Sequence, residues 1–114
     1  MTTATAAAAA AYPGYVLASS GTYYPEDTKP AVIDVLEKLL GERRKNRVTV
    51  TLDYGNGETY FQSGYVGRTT GPRHSPILVY NSRSLGGDLI TTNRITKIVS
   101  SSVKGGVVYY DAGR

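Results

Sequence analysis

The hydrophobic pattern of this chain changes once, from a helical period to a period of two, and this change constrains its fold class. Between residues 28 and 41 the large apolar side chains recur at helical spacing and form one stripe: Val32, Val35, Leu36, Leu39 and Leu40. Residues 47–52 instead alternate apolar and polar side chains, which is typical of a half-buried strand. One helix followed by strands predicts an α+β fold that is mainly β.

The ends of the predicted helix carry residues that helix termini favour. Thr28 is the predicted N-cap, and Pro30 lies in the first turn, where its missing N–H is tolerated. Gly41 is the predicted end of the helix. The residues predicted to lie on its exposed side are all charged: Asp34, Glu37 and Lys38.

Short strand-like segments fill the rest of the chain and predict a small barrel. The Asn56-Gly57 pair tolerates the positive φ of a tight hairpin turn. Gly and polar residues separate the other segments. The predicted strands cover residues 47–52, 59–66, 76–80, 89–90 with 95–99, and 107–110. We therefore predict one N-terminal helix followed by a five-stranded antiparallel SH3-like or Sm-like barrel or curled sheet.

The first 27 residues differ in composition from the rest. Thr and Ala dominate first, followed by Tyr, Pro, Gly and Ser. Such low complexity predicts that residues 1–27 form a disordered or loosely docked tail, and that residues 28–114 form the helix and barrel domain. A domain of that size buries a modest core, so we expect a homo-oligomer.

Several chemistries lack the residues that they need. The chain has no Cys, which excludes disulfides, thiolate nucleophiles and thiolate metal sites. His74 is the single histidine, and no nucleotide-binding or hydrolase fingerprint is present. We predict a protein that is not an enzyme, with no catalytic residue, metal site or cofactor. The apolar run at residues 6–11 is too short for a membrane span, so we expect a cytoplasmic protein without a membrane partner.

Positive charge is concentrated in the second part of the chain, in two loops rich in Gly and Arg. Residues 1–42 carry a formal charge of −3, and residues 43–114 carry +7. The loops cover residues 67–75 and 81–88. Guanidinium groups bind phosphate oxygens in pairs, and backbone N–H groups of such loops face anions. The predicted ligand-binding residues are Arg68, Thr69, Thr70, Arg73, His74, Asn81, Arg83, Ser84 and Arg94.

Two resemblances to known families arise from these segments. The helix and the segments at residues 48–52, 64–66, 77–80 and 95–99 follow an order similar to that of Sm-like proteins. That resemblance implies a ring-forming barrel that binds RNA. The strings GYVGRTTG at 64–71, PIL at 76–78 and NSRSLGG at 81–87 resemble small uncharacterised proteins of phages and mobile elements. This second resemblance implies a counter-defence factor that binds an immune protein or a nucleotide signal.

Three functions stay open at this point. The first is a non-catalytic protein that binds an anionic nucleotide-like ligand through the two Arg/Gly loops. The second is a protein-binding inhibitor of a host immune complex, in which Tyr and Arg residues form the hot spots. The third is a Sm-like protein that binds RNA or single-stranded DNA, in which some of the ten Tyr residues stack on bases.

Overall fold

A computed structural model of the chain describes residues 4–5 (backbone), 13–43, 45–69, 74–79, 87–101 and 106–113. These residues contain one α-helix, α1 (Pro30–Gly41), and a 3-10 turn at Thr92–Arg94. They also form nine strands: β1 (Ala4–Thr5), β2 (Tyr15–Ala18), β3 (Tyr23–Pro25), β4 (Val48–Asp53), β5 (Thr59–Arg68), β6 (Pro76–Val79), β7 (Gly87–Leu89), β8 (Ile95–Ser100) and β9 (Val108–Asp111). The fold is α+β and mainly β, as the sequence predicts.

The strands form two antiparallel sheets rather than one five-stranded barrel. The small sheet has the order β1-β2-β3, and the large sheet has six strands in the order β7-β6-β5-β4-β8-β9. Of the predicted five-stranded barrel or curled sheet, the barrel is wrong: the sheet has six strands, and its edge strands β7 and β9 do not pair with each other among the described residues.

The long strand β5 joins the two halves of the large sheet. Its residues up to Gly64 pair with β4, and its residues from Tyr65 onward pair with β6. At the change of partner the backbone of Gly64 passes so close to Val79 that an added Cβ would lie 2.3 Å from the Val79 carbonyl oxygen. The absence of a side chain at Gly64 therefore allows β5 and β6 to approach.

The helix covers one face of the sheet and differs in three details from its prediction. Lys29, not Thr28, is the N-cap residue, and its side chain makes no capping hydrogen bond. Thr28 is buried and its hydroxyl shares a 2.9 Å hydrogen bond with the hydroxyl of Thr92. Because this tertiary contact engages the hydroxyl, Thr28 does not cap the helix. Glu37, predicted to be exposed, is only 8% exposed.

The helix ends at Gly41, as predicted. The residue that adopts the left-handed backbone conformation after the helix is Arg43, two positions later. Arg43 has a φ of 55° and is the single non-glycine residue with positive φ in the described part of the chain. Its N–H donates to the carbonyl of Leu40 at 3.1 Å. Glycine usually occupies such a position after a helix, and a side chain there costs about 1 kcal/mol. A conformation of this cost indicates that the surroundings hold Arg43 in place.

The core lies between α1 and the inward side of β4, β5 and β8. The alternation predicted for β4 is confirmed, because Val48, Val50 and Leu52 are each at most 2% exposed. The helix contributes four apolar side chains: Val32, Ile33, Leu36 and Leu39. Each such fully buried aliphatic side chain stabilises the fold by about 1.5–3 kcal/mol.

The segment before the helix joins this core over the part that the structure describes. The hairpin of β2 and β3 places Ala18 and Tyr24 in the core, with exposures of 2% and 0%. Part of the segment predicted to be a disordered or loosely docked tail thus contacts the core through Ala18 and Tyr24, whereas residues 1–3 and 6–12 lie outside the described residues. In the described chain, no helix has both the length and the apolar character that a membrane crossing requires.

Candidate functional site

The described half of the first Arg/Gly loop is held by hydrogen bonds within the fold. The N–H of Thr69 donates to the carbonyl of Ser75 at 2.9 Å, and the Ser75 N–H donates to the Thr69 hydroxyl at 2.9 Å. The His74 ring contacts the Thr69 carbonyl through Nδ1. The His74 carbonyl accepts from the N–H of Tyr23 at 2.9 Å. Thr69 and His74 therefore close the base of the loop and attach it to the β2–β3 hairpin.

Arg68 precedes this loop at the end of β5 and is also attached to the hairpin. One Nη1 hydrogen of its guanidinium is donated to the carbonyl of Ser20. Arg68, Thr69 and His74 thus lie at the base of the first Arg/Gly loop, and their role in ligand binding stays a prediction. The other candidate residues of the two loops, Thr70, Arg73, Asn81, Arg83 and Ser84, lie outside the described residues.

Arg94 lies at the opposite end of the sheet from Arg68. Its guanidinium carbon is 5.9 Å from the ring centroid of Tyr54, which in turn packs against Tyr60. Tyr60 and Arg68 are eight residues apart on β5, which is about 26 Å of extended strand. The structure therefore does not bring Arg94 to the first Arg/Gly loop.

The end of the sheet near Arg94 exposes several large apolar side chains, which together with Arg94 we name the aromatic surface. Its members are Tyr54, Tyr60, Phe61, Leu89 and Arg94, and the four apolar ones are 38%, 45%, 69% and 62% exposed, respectively. Tyr60 and Phe61 are consecutive in β5, so their side chains leave opposite faces of the sheet. A shallow groove of about 520 Å³ opens here, lined in part by the three aromatic residues. The Tyr54 and Tyr60 rings meet edge to face at 5.3 Å, an arrangement that aromatic pairs favour.

Hydrogen bonds hold this surface in place. The Tyr54 hydroxyl donates to the Thr91 hydroxyl at 3.1 Å. The Gln62 side-chain amide donates to the carbonyl of Leu89 at 3.4 Å. The Tyr60 hydroxyl donates to the Glu58 carboxylate, and this hydrogen bond is the main reason why the pKa of Tyr60 is raised. These contacts restrict the side chains before any partner binds, which lowers the entropy lost on binding.

Two carboxylates adjoin the aromatic surface although the chain as a whole is basic, with a net charge of +4. Glu58 accepts from the Tyr60 hydroxyl. Both carboxylate oxygens of Asp27 accept from the amide of Asn93, next to Arg94, at 3.2 Å. Carboxylates beside an exposed apolar surface favour cationic groups of a partner.

The sequence argument missed most of the aromatic surface. Tyr54 lies next to the predicted hairpin turn, and Tyr60 lies in the strand predicted at residues 59–66, so neither position indicates an exposed aromatic pair. The exposure of Phe61 follows from the pairing of β4 with β5. Phe61 lies opposite Thr51, on the side of the sheet away from Val50 and Leu52. Nothing in the sequence pattern indicated that Leu89 would be exposed next to Gln62.

A second cluster of polar residues lies between the helix and the β2–β3 hairpin. The Glu37 carboxylate accepts from the N–H of Ser20 at 3.0 Å, from the Ser20 hydroxyl at 2.7 Å and from the Tyr24 hydroxyl at 2.9 Å. Burial raises the pKa of Tyr24 above its ordinary value, and the nearby Glu37 charge raises it further. The cluster attaches the hairpin to the helix and keeps the Tyr24 phenol protonated.

Tyr24 is expected to make the protein sensitive to alkaline pH. In the unfolded chain a Tyr ionises near pH 10.0, whereas in the folded chain its pKa lies above that value. The unfolded state therefore loses the proton first, and stability falls by up to about 1.4 kcal/mol per pH unit above that point. In urea unfolding from pH 8 to 11, the free energy of unfolding of wild type should fall toward that of Tyr24→Phe as the pH rises. A difference that is independent of pH would contradict this.

Neither a metal site nor a relative points to a function. Among the described residues, no group of three His, Cys, Asp or Glu side chains is arranged to hold a metal ion. Comparison with protein-family models, with curated proteins and with solved structures gives no match. The chemistry of the two clusters and of the grooves is therefore the basis for a functional proposal.

Proposed function

We propose that this chain is a non-catalytic binding protein whose aromatic surface takes a basic, partly apolar segment of another protein. The observation that carries this proposal is the contact of Tyr54 with Tyr60 and Arg94, in which the two Tyr rings stay 38% and 45% exposed. Single exposed apolar residues are ordinary, but a contiguous apolar cluster rimmed by polar groups is typical of an interaction site. Here the cluster also borders a groove that an anchoring side chain can enter.

The residue types favour a protein partner. Tyr and Arg are enriched among the interface residues that contribute most to binding, and the aromatic surface combines two Tyr with Arg94. The guanidinium of Arg94 stacks 5.9 Å from the Tyr54 ring, so its planar group is already oriented. A preformed aromatic pair with an adjacent cation supplies a rigid anchor.

The charges favour a basic partner over an anionic one. The carboxylate of Glu58 accepts from the Tyr60 hydroxyl, and that of Asp27 lies beside Arg94 through Asn93. A nucleic acid brought to this surface would meet these two negative charges, whereas Lys or Arg side chains of a protein would pair with them. Binding of a nucleotide through the two Arg/Gly loops, binding of RNA, and a counter-defence role stay predictions.

Loss of either aromatic side chain is expected to weaken binding strongly. A displayed peptide library is first selected against the wild-type protein, and we expect enrichment of Leu or aromatic residues flanked by Lys or Arg. Tyr60→Ala and Phe61→Ala should each then lower the affinity for the selected peptide by about 2 kcal/mol, which is roughly thirtyfold. Fluorescence anisotropy measures both effects, and circular dichroism verifies that the variants fold.

A control variant tests whether the loss is specific to the surface. Val107 is 53% exposed and is not part of the aromatic surface, so Val107→Ala removes exposed apolar area without changing the binding site. Its affinity should equal that of wild type. The proposal fails if the selected peptides are acidic, or if Phe61→Ala and Val107→Ala have the same effect.

A further inference from the structure

A second groove, of about 360 Å³, lies between the end of α1 and the end of β5, away from the aromatic surface. We name it the arginine groove. Its lining residues are Leu40, Arg43, Val66, Gly67 and Arg68. Two of these carry guanidinium groups, and none carries a carboxylate. Its volume falls within the range of about 300–1,000 Å³ that small-molecule sites occupy.

We propose that the arginine groove binds the phosphoryl group of a small phosphorylated ligand, such as a nucleoside triphosphate. A guanidinium presents five N–H donors in a planar fork whose geometry matches two phosphate oxygens. Arg43 follows α1 and Arg68 ends β5, and both line the groove, so the proposal places the anion between them. Leu40 and Val66 add apolar lining suited to the uncharged part of such a ligand.

Arg43 is held in a conformation that its side chain disfavours. Its φ of 55° is the left-handed value for which glycine is the usual residue after a helix. Glycine at this position would satisfy the same backbone, but it would leave the groove without one of its two guanidinium groups. An observed backbone outlier of this kind supports a functional role for the side chain, because such strain persists where the surroundings or a ligand require it.

Arg68 is oriented by the hairpin and still has donors for a ligand. Among the described residues, one of its five N–H groups donates, to the Ser20 carbonyl. Glu37 and Asp34 line a neighbouring cleft that also borders Arg68, but neither carboxylate lines the arginine groove. The Glu37 carboxylate already accepts from Ser20 and Tyr24.

The substitution Arg43→Gly separates a binding role from a structural one. Glycine removes the guanidinium while relaxing the left-handed backbone, so the melting temperature should stay the same or rise. Titration calorimetry with inorganic pyrophosphate and with ATP should show saturable binding to wild type, and Arg43→Gly should lower the affinity at least about tenfold. Arg68→Lys should also lower it, because Lys keeps the charge and lacks the fork.

The control and the second ligand decide between the possible outcomes. Lys97→Gln removes an exposed positive charge on β8 and should leave the affinity unchanged. Tighter binding of ATP than of pyrophosphate means that the nucleoside also contacts the groove, and equal affinity means that the phosphoryl groups suffice. Three results would overturn the proposal: no saturable binding, an equal loss in Arg43→Gly and Lys97→Gln, or binding of a single-stranded oligonucleotide alone.

Discussion

Replacement of Gly64 by alanine is expected to lower the free energy of unfolding by about 3 kcal/mol. The added Cβ would lie 2.3 Å from the carbonyl oxygen of Val79 and 3.1 Å from its carbonyl carbon. Both atoms belong to the backbone of β6, so no side-chain rotation can relieve the contact. The two strands must move apart where β5 changes its pairing partner, and the ladder between Tyr65 and Val79 is weakened as a result. Urea unfolding followed by circular dichroism measures the loss.

A second glycine provides the matched control for this prediction. A Cβ at Gly41 would meet no atom within 4 Å, and Gly41 lies in the helix. Gly41→Ala should therefore stabilise the protein by about 0.5–1 kcal/mol, since alanine loses less backbone entropy in a helix. If Gly64→Ala changes stability no more than Gly41→Ala does, the close approach of β5 and β6 is not a feature of the folded protein.

Replacement of Glu37 by alanine is also expected to cost about 3 kcal/mol of stability. The carboxylate accepts hydrogen bonds from the Ser20 N–H, the Ser20 hydroxyl and the Tyr24 hydroxyl. Tyr24 is fully buried, so its hydroxyl would lose its acceptor without access to water. A buried donor left without a partner costs about 1–3 kcal/mol, and the contact between the hairpin and the helix is lost at the same time.

An exposed glutamate separates the loss of hydrogen bonds from the loss of charge. Glu26 is exposed, so Glu26→Ala makes the same change in net charge away from the cluster. Its stability should stay within about 0.5 kcal/mol of wild type. Proteolysis adds a second measurement, because Glu37→Ala should expose the segment at residues 13–27 to cleavage before the sheet unfolds. Equal stability of the two variants would show that the buried cluster does not hold the hairpin.

The helix shows which buried residues sequence periodicity can predict and which it cannot. The apolar stripe correctly predicts that Leu36 and Leu39 are buried, because spacing alone determines which residues share a helix face. The burial of Glu37 could not be predicted, since it depends on Ser20 and Tyr24 of a hairpin whose composition resembles that of a loop. Hydrogen-bond donors of Ser20 and Tyr24 allow the carboxylate of Glu37 to be buried beside the apolar stripe of the helix.

The candidate site shows the same limit. Thr69 and His74 are typical of a ligand-binding loop in sequence, yet their polar atoms close the loop and attach it to Tyr23. Arg68 lines the arginine groove together with Arg43, which follows the end of the helix. Sequence composition identified a basic half of the chain, but not which two arginines line one groove.

The sequence by itself determined the elements of this protein: one helix at residues 30–41 and the alternating strands that follow it. Those elements depend on local periodicity, turn residues and helix ends, which act over a few residues. The tertiary structure alone decided that six strands form an open sheet, that Ala18 and Tyr24 of the β2–β3 hairpin join the core, and that an aromatic surface and an arginine groove form apart from each other. Each of these depends on contacts between residues far apart in the chain, and no local pattern encodes such contacts.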